Sequence, residues 1–146
     1  MIPFARYGET VQLPKKQGYP KDPQTVGEHI KKRRMDLGLR QCDISEQLGI
    51  SLATMTVWEN NHGEPQVNFY PKIIKFLGYM PLTIDTSTLG GKIKLYRYQH
   101  GLSHKNMARL LGVDASTIRS WEHNEHAPLS KFHQVLSNYI KQEPKK

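Results

Sequence analysis

The sequence predicts an all-α chain built from two tandem copies of one small module, each of four to five short helices. Three observations predict it. The first is an internal repeat: a shift of 63 residues lays 27–77 over 90–140 without a gap. The shift matches Gly27/Gly90, Ile30/Ile93, Lys31/Lys94, Arg34/Arg97, Gly38/Gly101, Leu39/Leu102, Leu48/Leu111, Gly49/Gly112, Thr54/Thr117, Trp58/Trp121, Glu59/Glu122, Asn61/Asn124, Pro65/Pro128 and Phe69/Phe132. Both tryptophans of the chain fall on equivalent positions. The second is apolar spacing of three and four residues, the period of a helix. The third is the placement of helix-starting and helix-ending residues around those segments. The expected organisation is a flexible arm over 1–24, a first module over 25–77, a linker over 78–87, a second module over 88–141 and a basic tail over 142–146.

Each element has a local reason. Thr25 and Glu28 form a capping-box pattern that opens the first helix, and Val26, Ile30 and Leu37 follow at helical spacing until Gly38. A second helix over 41–48 carries Ile44 and Leu48. Gly49-Ile50-Ser51 is a tight turn, with Ser51 placed to cap a third helix over 52–59. Asn60-Asn61 suit the left-handed closure of that helix. A fourth helix over 69–77 carries Ile73, Ile74, Phe76 and Leu77, with Pro71 confined to its first turn. In the second copy Thr88, Ser103, Asp114 and Ser130 precede or cap the four helices. Arg40, the counterpart of Ser103, is a poor cap. Residues 1–24 hold Pro3, Pro14, Pro20 and Pro23 with Gly8 and Gly18, which excludes a helix.

Composition narrows the function. The 146 residues include 21 Lys and Arg against 13 Asp and Glu, a net charge of +8, with 37% apolar residues. No apolar run is long enough to span a bilayer. A single cysteine, Cys42, excludes an intrachain disulfide. The first residues lack the apolar core of a signal peptide. The expectation is a cytoplasmic chain, away from membranes, whose charge points to polyanions. That charge is concentrated in residues 83–146, which hold ten basic and five acidic residues. Lys15, Lys16 and Lys21 give the arm a similar potential.

Two short helices joined by a Gly-containing turn, inside a basic helical module, are the pattern of a helix-turn-helix. QCDISEQL-GIS-LATMTVWE is one instance and HKNMARLL-GVD-ASTIRSWE the other. Both copies resemble the Cro/repressor-type (lambda-repressor-like, XRE-type) helix-turn-helix family of bacterial and phage DNA-binding regulators. The resemblance covers about 25–80 and 88–140. It is carried in the first copy by Arg34-Met-Asp-Leu-Gly38-Leu39, Gln41, Leu48-Gly49-Ile50 and Trp58-Glu59. In the second it is carried by Arg97-Tyr-Gln-His-Gly101-Leu102, Leu111-Gly112-Val113 and Trp121-Glu122, with His104 in place of the Gln. It implies a sequence-specific, double-stranded DNA-binding transcriptional regulator, with no cofactor.

Helical spacing sets Ile118 and Trp121 on one face of the third helix of copy two, toward the core. Ser116, Arg119 and Ser120 lie on the other. Arg119 has the donors for guanine O6 and N7. By resemblance Ala115, Ser116, Arg119 and Ser120 are the base readers. A phosphate clamp or a solvated side chain is the other reading of Arg119. In copy one the equivalent face is Leu52, Ala53, Thr56 and Val57. Ala53 and Val57 suit thymine methyls and Thr56 a base edge. The face has few donors, so it reads an A·T-rich half-site weakly or packs against protein.

Gln41 and His104 open the second helices, where the resemblance implies a bond to phosphate. Protonation would strengthen that of His104, so binding is expected to tighten as pH falls. Lys105 and Arg109 lie near the same surface and are otherwise solvated. Asn61 and Asn124 either bond phosphate or close their helices. The recurring pairs Arg34 with Glu59 and Arg97 with Glu122 are expected to be structural ion pairs. The Lys31–Arg34 run is otherwise a solvated face or a phosphate neighbour.

His100/His104 and His123/His126 have metal-like spacing, yet no carboxylate or cysteine completes a first shell. Gly90-Gly91-Lys92-Ile93 lacks the spacing of a phosphate loop. No nucleophile, base and orienter occur together, so neither a metal site nor an enzyme is expected. The linker 78–87, fully extended, reaches ~33–36 Å. That matches one turn of duplex, about 34 Å, between half-sites. A homodimer is left open. The rival reading is a protein-interaction adaptor or antitoxin-like subunit whose apolar first module docks a partner. An RNA binder is a third, without the aromatic platform expected for single strands.

Overall fold

The computed structural model describes residues 18–141. Among them are eight α-helices, one 3-10 turn and no strand, so the described residues are all-α as predicted. The helices are α1 (Val26–Asp36), α2 (Gln41–Leu48), α3 (Leu52–Glu59), α4 (Tyr70–Leu77), α5 (Leu89–Gln99), α6 (His104–Leu111), α7 (Ala115–Glu122) and α8 (Ser130–Lys141), with the 3-10 turn at Val67–Phe69 before α4. The 63-residue shift carries α1, α2 and α3 onto α5, α6 and α7 with the same first and last residues. It carries the 3-10 turn with α4 onto the greater part of α8. None of the described helices is long and apolar enough to cross a membrane.

The helix starts follow local chemistry. At α1, Glu28 N donates to Thr25 Oγ1 at 3.1 Å and Thr25 N donates to Glu28 Oε2 at 3.3 Å, the reciprocal box the sequence predicts. Thr88, Ser103 and Ser51 cap α5, α6 and α3 through their hydroxyls. Arg40 precedes α2 without capping it. Asp43 instead reaches back, accepting from Arg40 N at 2.8 Å and from its guanidinium at 3.0 and 3.2 Å. Two expected caps differ. Asp114 stands at the start of α7, yet its side chain makes no capping bond; its carbonyl accepts from Thr117 N and Ile118 N. Ser130 is the first residue of α8, and the Leu129 carbonyl closes that turn. Gly49 and Gly112 end α2 and α6 at φ 70°, a left-handed conformation nearly free of cost to glycine.

The chain divides at Pro65/Gln66 into two compact units. In the first, α3 packs against α1 and α2. Its buried apolar side chains are Val26, Ile30, Ile44, Leu48, Met55 and Trp58. In the second, α7 packs on α5 and α6, α8 packs on α5, and α4 packs on α5 and the 3-10 turn. The core of that unit is Ile93, Met107, Ala108, Ile118, Trp121 and Leu136, flanked by Tyr96, Leu102, Leu111 and Phe132. Each large apolar side chain so buried contributes about 1.5–3 kcal/mol.

Gly27 and Gly90 recur in the middle of the first turns of α1 and α5, where glycine weakens a helix. The cause is packing. A Cβ on Gly27 would fall inside the Trp58 carbonyl, and one on Gly90 would lie 2.5 Å from the carbonyls of Trp121 and Glu122. The first helix of each copy therefore seats directly on the end of the third.

Three expected boundaries move. Helix α4, expected to close the first module, groups with the second unit, where Tyr70 meets Tyr98 edge-on with ring centroids 4.6 Å apart. The segment 78–87, expected to be a spacer, is folded within that unit. Asp85 Oδ1 accepts from Ser87 N and Oγ at 2.9 and 2.6 Å, and the Asp85 carbonyl lies where a side chain on Gly91 would stand. Of the expected arm, residues 18–24 are tied to α1. Tyr19 Oη donates to Asp36 at 2.6 Å, and Gln24 N donates to Glu28 at 2.6 Å. The rest of the arm, with Lys15 and Lys16, and the tail 142–146 lie outside the described residues. Leu37, expected on the apolar face of α1, is exposed.

Candidate nucleic-acid interface

A recurring polar frame holds the turn-linked helix pairs α2–α3 and α6–α7. In the first unit the Arg34 guanidinium forks onto Glu59, Nε to Oε2 at 2.7 Å and Nη2 to Oε1 at 2.9 Å. Its Nη1 donates to the Leu39 carbonyl at 2.8 Å. In the second unit Arg97 Nε donates to Glu122 Oε1 at 3.0 Å, and Nη1 to the Leu102 carbonyl at 3.1 Å. Arg97 and Glu122 are buried, with side chains 6% and 4% exposed. The first helix, the turn after it and the end of the third helix are thus locked together in each copy. The pairs have the structural place expected of them.

The first residue of the second helix completes the frame. Gln41 Nε2 donates to Glu59 Oε1 at 3.0 Å. His104 Nε2 bonds Glu122 Oε2 in the equivalent position. These two groups, expected to face phosphate, instead turn inward, because the recurring carboxylate is the nearest strong acceptor. Burial first, and then the charge of Arg97, hold His104 below the ordinary histidine range. They prevail over the pull of Glu122, whose charge Arg97 already shares. Arg119 adds to the downward push.

Asn61 and Asn124 are likewise committed. Both are left-handed, with φ of 61° and 56°. Asn61 accepts from Thr25 Oγ1 at 2.6 Å and donates to Glu28 Oε1 at 3.0 Å. Asn124 Oδ1 accepts from Gly90 N at 3.2 Å. They close the third helices and tie them to the start of the first, the second of the two readings open in the sequence.

The outward faces stay available. On α7, Ser116 and Arg119 are exposed and Ala115 and Ser120 half-buried, while Ile118 and Trp121 are buried on the other side, as the helical spacing predicts. Lys105 and Arg109 are exposed on α6. On α3, Ala53 is exposed and Thr56 half-buried, and Leu52 and Val57 are 50% and 39% exposed. The Thr56 hydroxyl donates to the Leu52 carbonyl of its own helix at 3.0 Å. The histidines with metal-like spacing are placed otherwise: His100 stacks on Tyr96 and bonds its carbonyl, and His123 bonds the Arg119 carbonyl.

The sequence reading missed the inward role of Gln41 and His104. Its signal was present: both stand 18 residues before the recurring Glu, and both carry an N–H that suits a carboxylate. The charge of the units follows the concentration in residues 83–146 already read from the sequence. Among described residues the first holds six basic and seven acidic residues, the second ten and four. The positive charge thus belongs almost wholly to the unit bearing α7.

No family model, curated protein or solved structure matches the chain.

Proposed function

We propose that the chain is a sequence-specific, double-stranded DNA-binding transcriptional regulator of bacterial or phage, Cro/repressor-like type. Its two copies are lambda-repressor-like helix-turn-helix modules, and α7 is the main reader of the major groove. The observation that carries this reading is the outward face of α7. Ser116 and Arg119 stand exposed on a helix fixed from behind by Ile118, Trp121 and the Arg97–Glu122–His104 frame, on the strongly basic unit. A rigid helix presenting an arginine and serines suits base edges, and the neighbouring Lys105 and Arg109 suit phosphates. The matched bounds of α2–α3 and α6–α7 support the same reading.

The test is selection of bound sequences from random duplexes, with wild type beside Arg119→Ala and Lys105→Ala. Arg119→Ala is expected to relax the selected motif at one position and cost about 1–3 kcal/mol. Lys105→Ala is expected to weaken all sequences alike and flatten the salt slope by about 1. An unchanged motif with Arg119→Ala removes α7 from the reading role.

The exposed Leu52 and Val57 favour a second reading, a protein adaptor or antitoxin-like subunit docking a partner through the first module. It predicts no duplex binding at physiological salt.

A further inference from the structure

We infer that one chain takes a single half-site of duplex: α6–α7 makes the contact, and the equivalent α2–α3 face of the first unit stays off the DNA. This rests on the duplex-binding reading above and sets the geometry of its target.

Charge at matched positions is the first ground. The exposed surface of α6 and α7 carries Lys105, Asn106, Arg109, Ser116 and Arg119. The same positions of α2 and α3 carry Cys42, Asp43, Glu46, Ala53 and Thr56. Every cation of the second copy is lost, and two of its positions become carboxylates. Affinity for duplex comes chiefly from lysines and arginines that displace counterions from phosphates. The first face has none to offer beyond Arg40, whose guanidinium is held by Asp43.

The second ground is the start of α2. A helix N-terminus receives phosphate through its free amides and partial positive charge. Here Asp43 already takes the Arg40 amide at 2.8 Å. The donated bonds from Arg40 hold its carboxyl below the usual range, so it stays ionised where a phosphate would sit. In the second copy the matching residue is Asn106, which is neutral, and the cap is the Ser103 hydroxyl.

The third ground is the supply of donors. Thr56 Oγ1 is bonded to the Leu52 carbonyl, and Gln41 Nε2 to Glu59, so these two polar groups are turned to their own unit. What faces outward is Leu52, Ala53 and Val57. Finally, 78–87 belongs to the second unit rather than forming a free spacer of one duplex turn.

The experiment uses the full chain, a duplex carrying one selected site, and one carboxylate insertion on each face. Ser116→Glu is set against Leu52→Glu, an exposed first residue of α3 where Glu suits the helix start. Both variants are checked for folding by circular dichroism and melting, and binding is read by anisotropy and hydroxyl-radical footprinting. Leu52→Glu is expected to leave Kd within twofold, and Ser116→Glu to raise it a hundredfold or more. The footprint is expected to protect one major-groove segment. A tenfold or greater loss with Leu52→Glu, or two protected segments one turn apart, overturns the single half-site while leaving DNA binding intact. Absence of wild-type binding to any duplex overturns the DNA reading, and this inference with it.

Discussion

At the residue scale the molecule turns on one carboxylate per copy. Glu122 is buried and receives Arg97 and His104, so neither its charge nor that of Arg97 has water to turn to. Removing one partner strands the other. Arg97→Met is expected to cost about 3–5 kcal/mol in urea unfolding. The exposed pair Lys32–Asp36, at 3.4 Å, is worth about 0.3–0.5 kcal/mol by the same measurement. Equal costs would show that burial does not set the difference. His104 supplies a pH dependence whose sign follows from its surroundings. Burial and Arg97 hold its folded-state pKa below the unfolded value of about 6.5. Between those two values the unfolded chain binds the proton and the folded chain does not. Stability is therefore full above about pH 6.5 and is lost as pH falls toward the folded value. Melting of wild type and His104→Gln between pH 7.5 and 5.5 checks this. The wild type should lose more on acidification, and parallel curves would refute the assignment. The tighter binding at low pH expected from a phosphate-facing His104 gives way to this effect, because Nε2 is turned to Glu122.

At the element scale, helix starts and close approaches decide the fold. Gly27 and Gly90 let α1 and α5 lie against the ends of α3 and α7. Alanine at either position should cost about 1–3 kcal/mol or more, although alanine is the better helix former. A neutral or stabilising Gly90→Ala would contradict that packing. The caps make a finer test. Ser103→Ala should cost α6 about 1 kcal/mol, and Asp114→Ala should cost α7 less than half as much, since only Ser103 makes the bond. These elements were legible in the sequence to within a residue or two, because period, Gly turns and the Thr25–Glu28 box are local. The exposed α7 face was legible for the same reason. What was not legible depended on distant partners. Nothing local to Gln41 or His104 says that a glutamate 18 residues on will claim them; the one signal is that the same spacing recurs in both copies. Nothing local to 70–77 says that Tyr70 will lie against Tyr98 and draw α4 into the second unit. Arg40 gives no side-chain cap, and Asp43 takes its backbone amide instead.

At the scale of the whole molecule, a duplicated scaffold carries two unlike surfaces. The frame is kept in both copies, with Arg34–Glu59–Gln41 answering Arg97–Glu122–His104. The outward residues are not kept. One unit is basic with a donor-bearing face; the other is nearly neutral with an apolar one. A frame preserved while its surface diverges is what separate tasks for the two copies would require. The most direct measurement is the affinity of the full chain for a duplex drawn from random-sequence selection, titrated over salt and repeated with Arg119→Ala. The account predicts a negative linear dependence of log affinity on log salt, with a slope of about −2 from Lys105 and Arg109, and a relaxed motif for the variant. An affinity indifferent to salt, or a motif that survives loss of Arg119 unchanged, would contradict it.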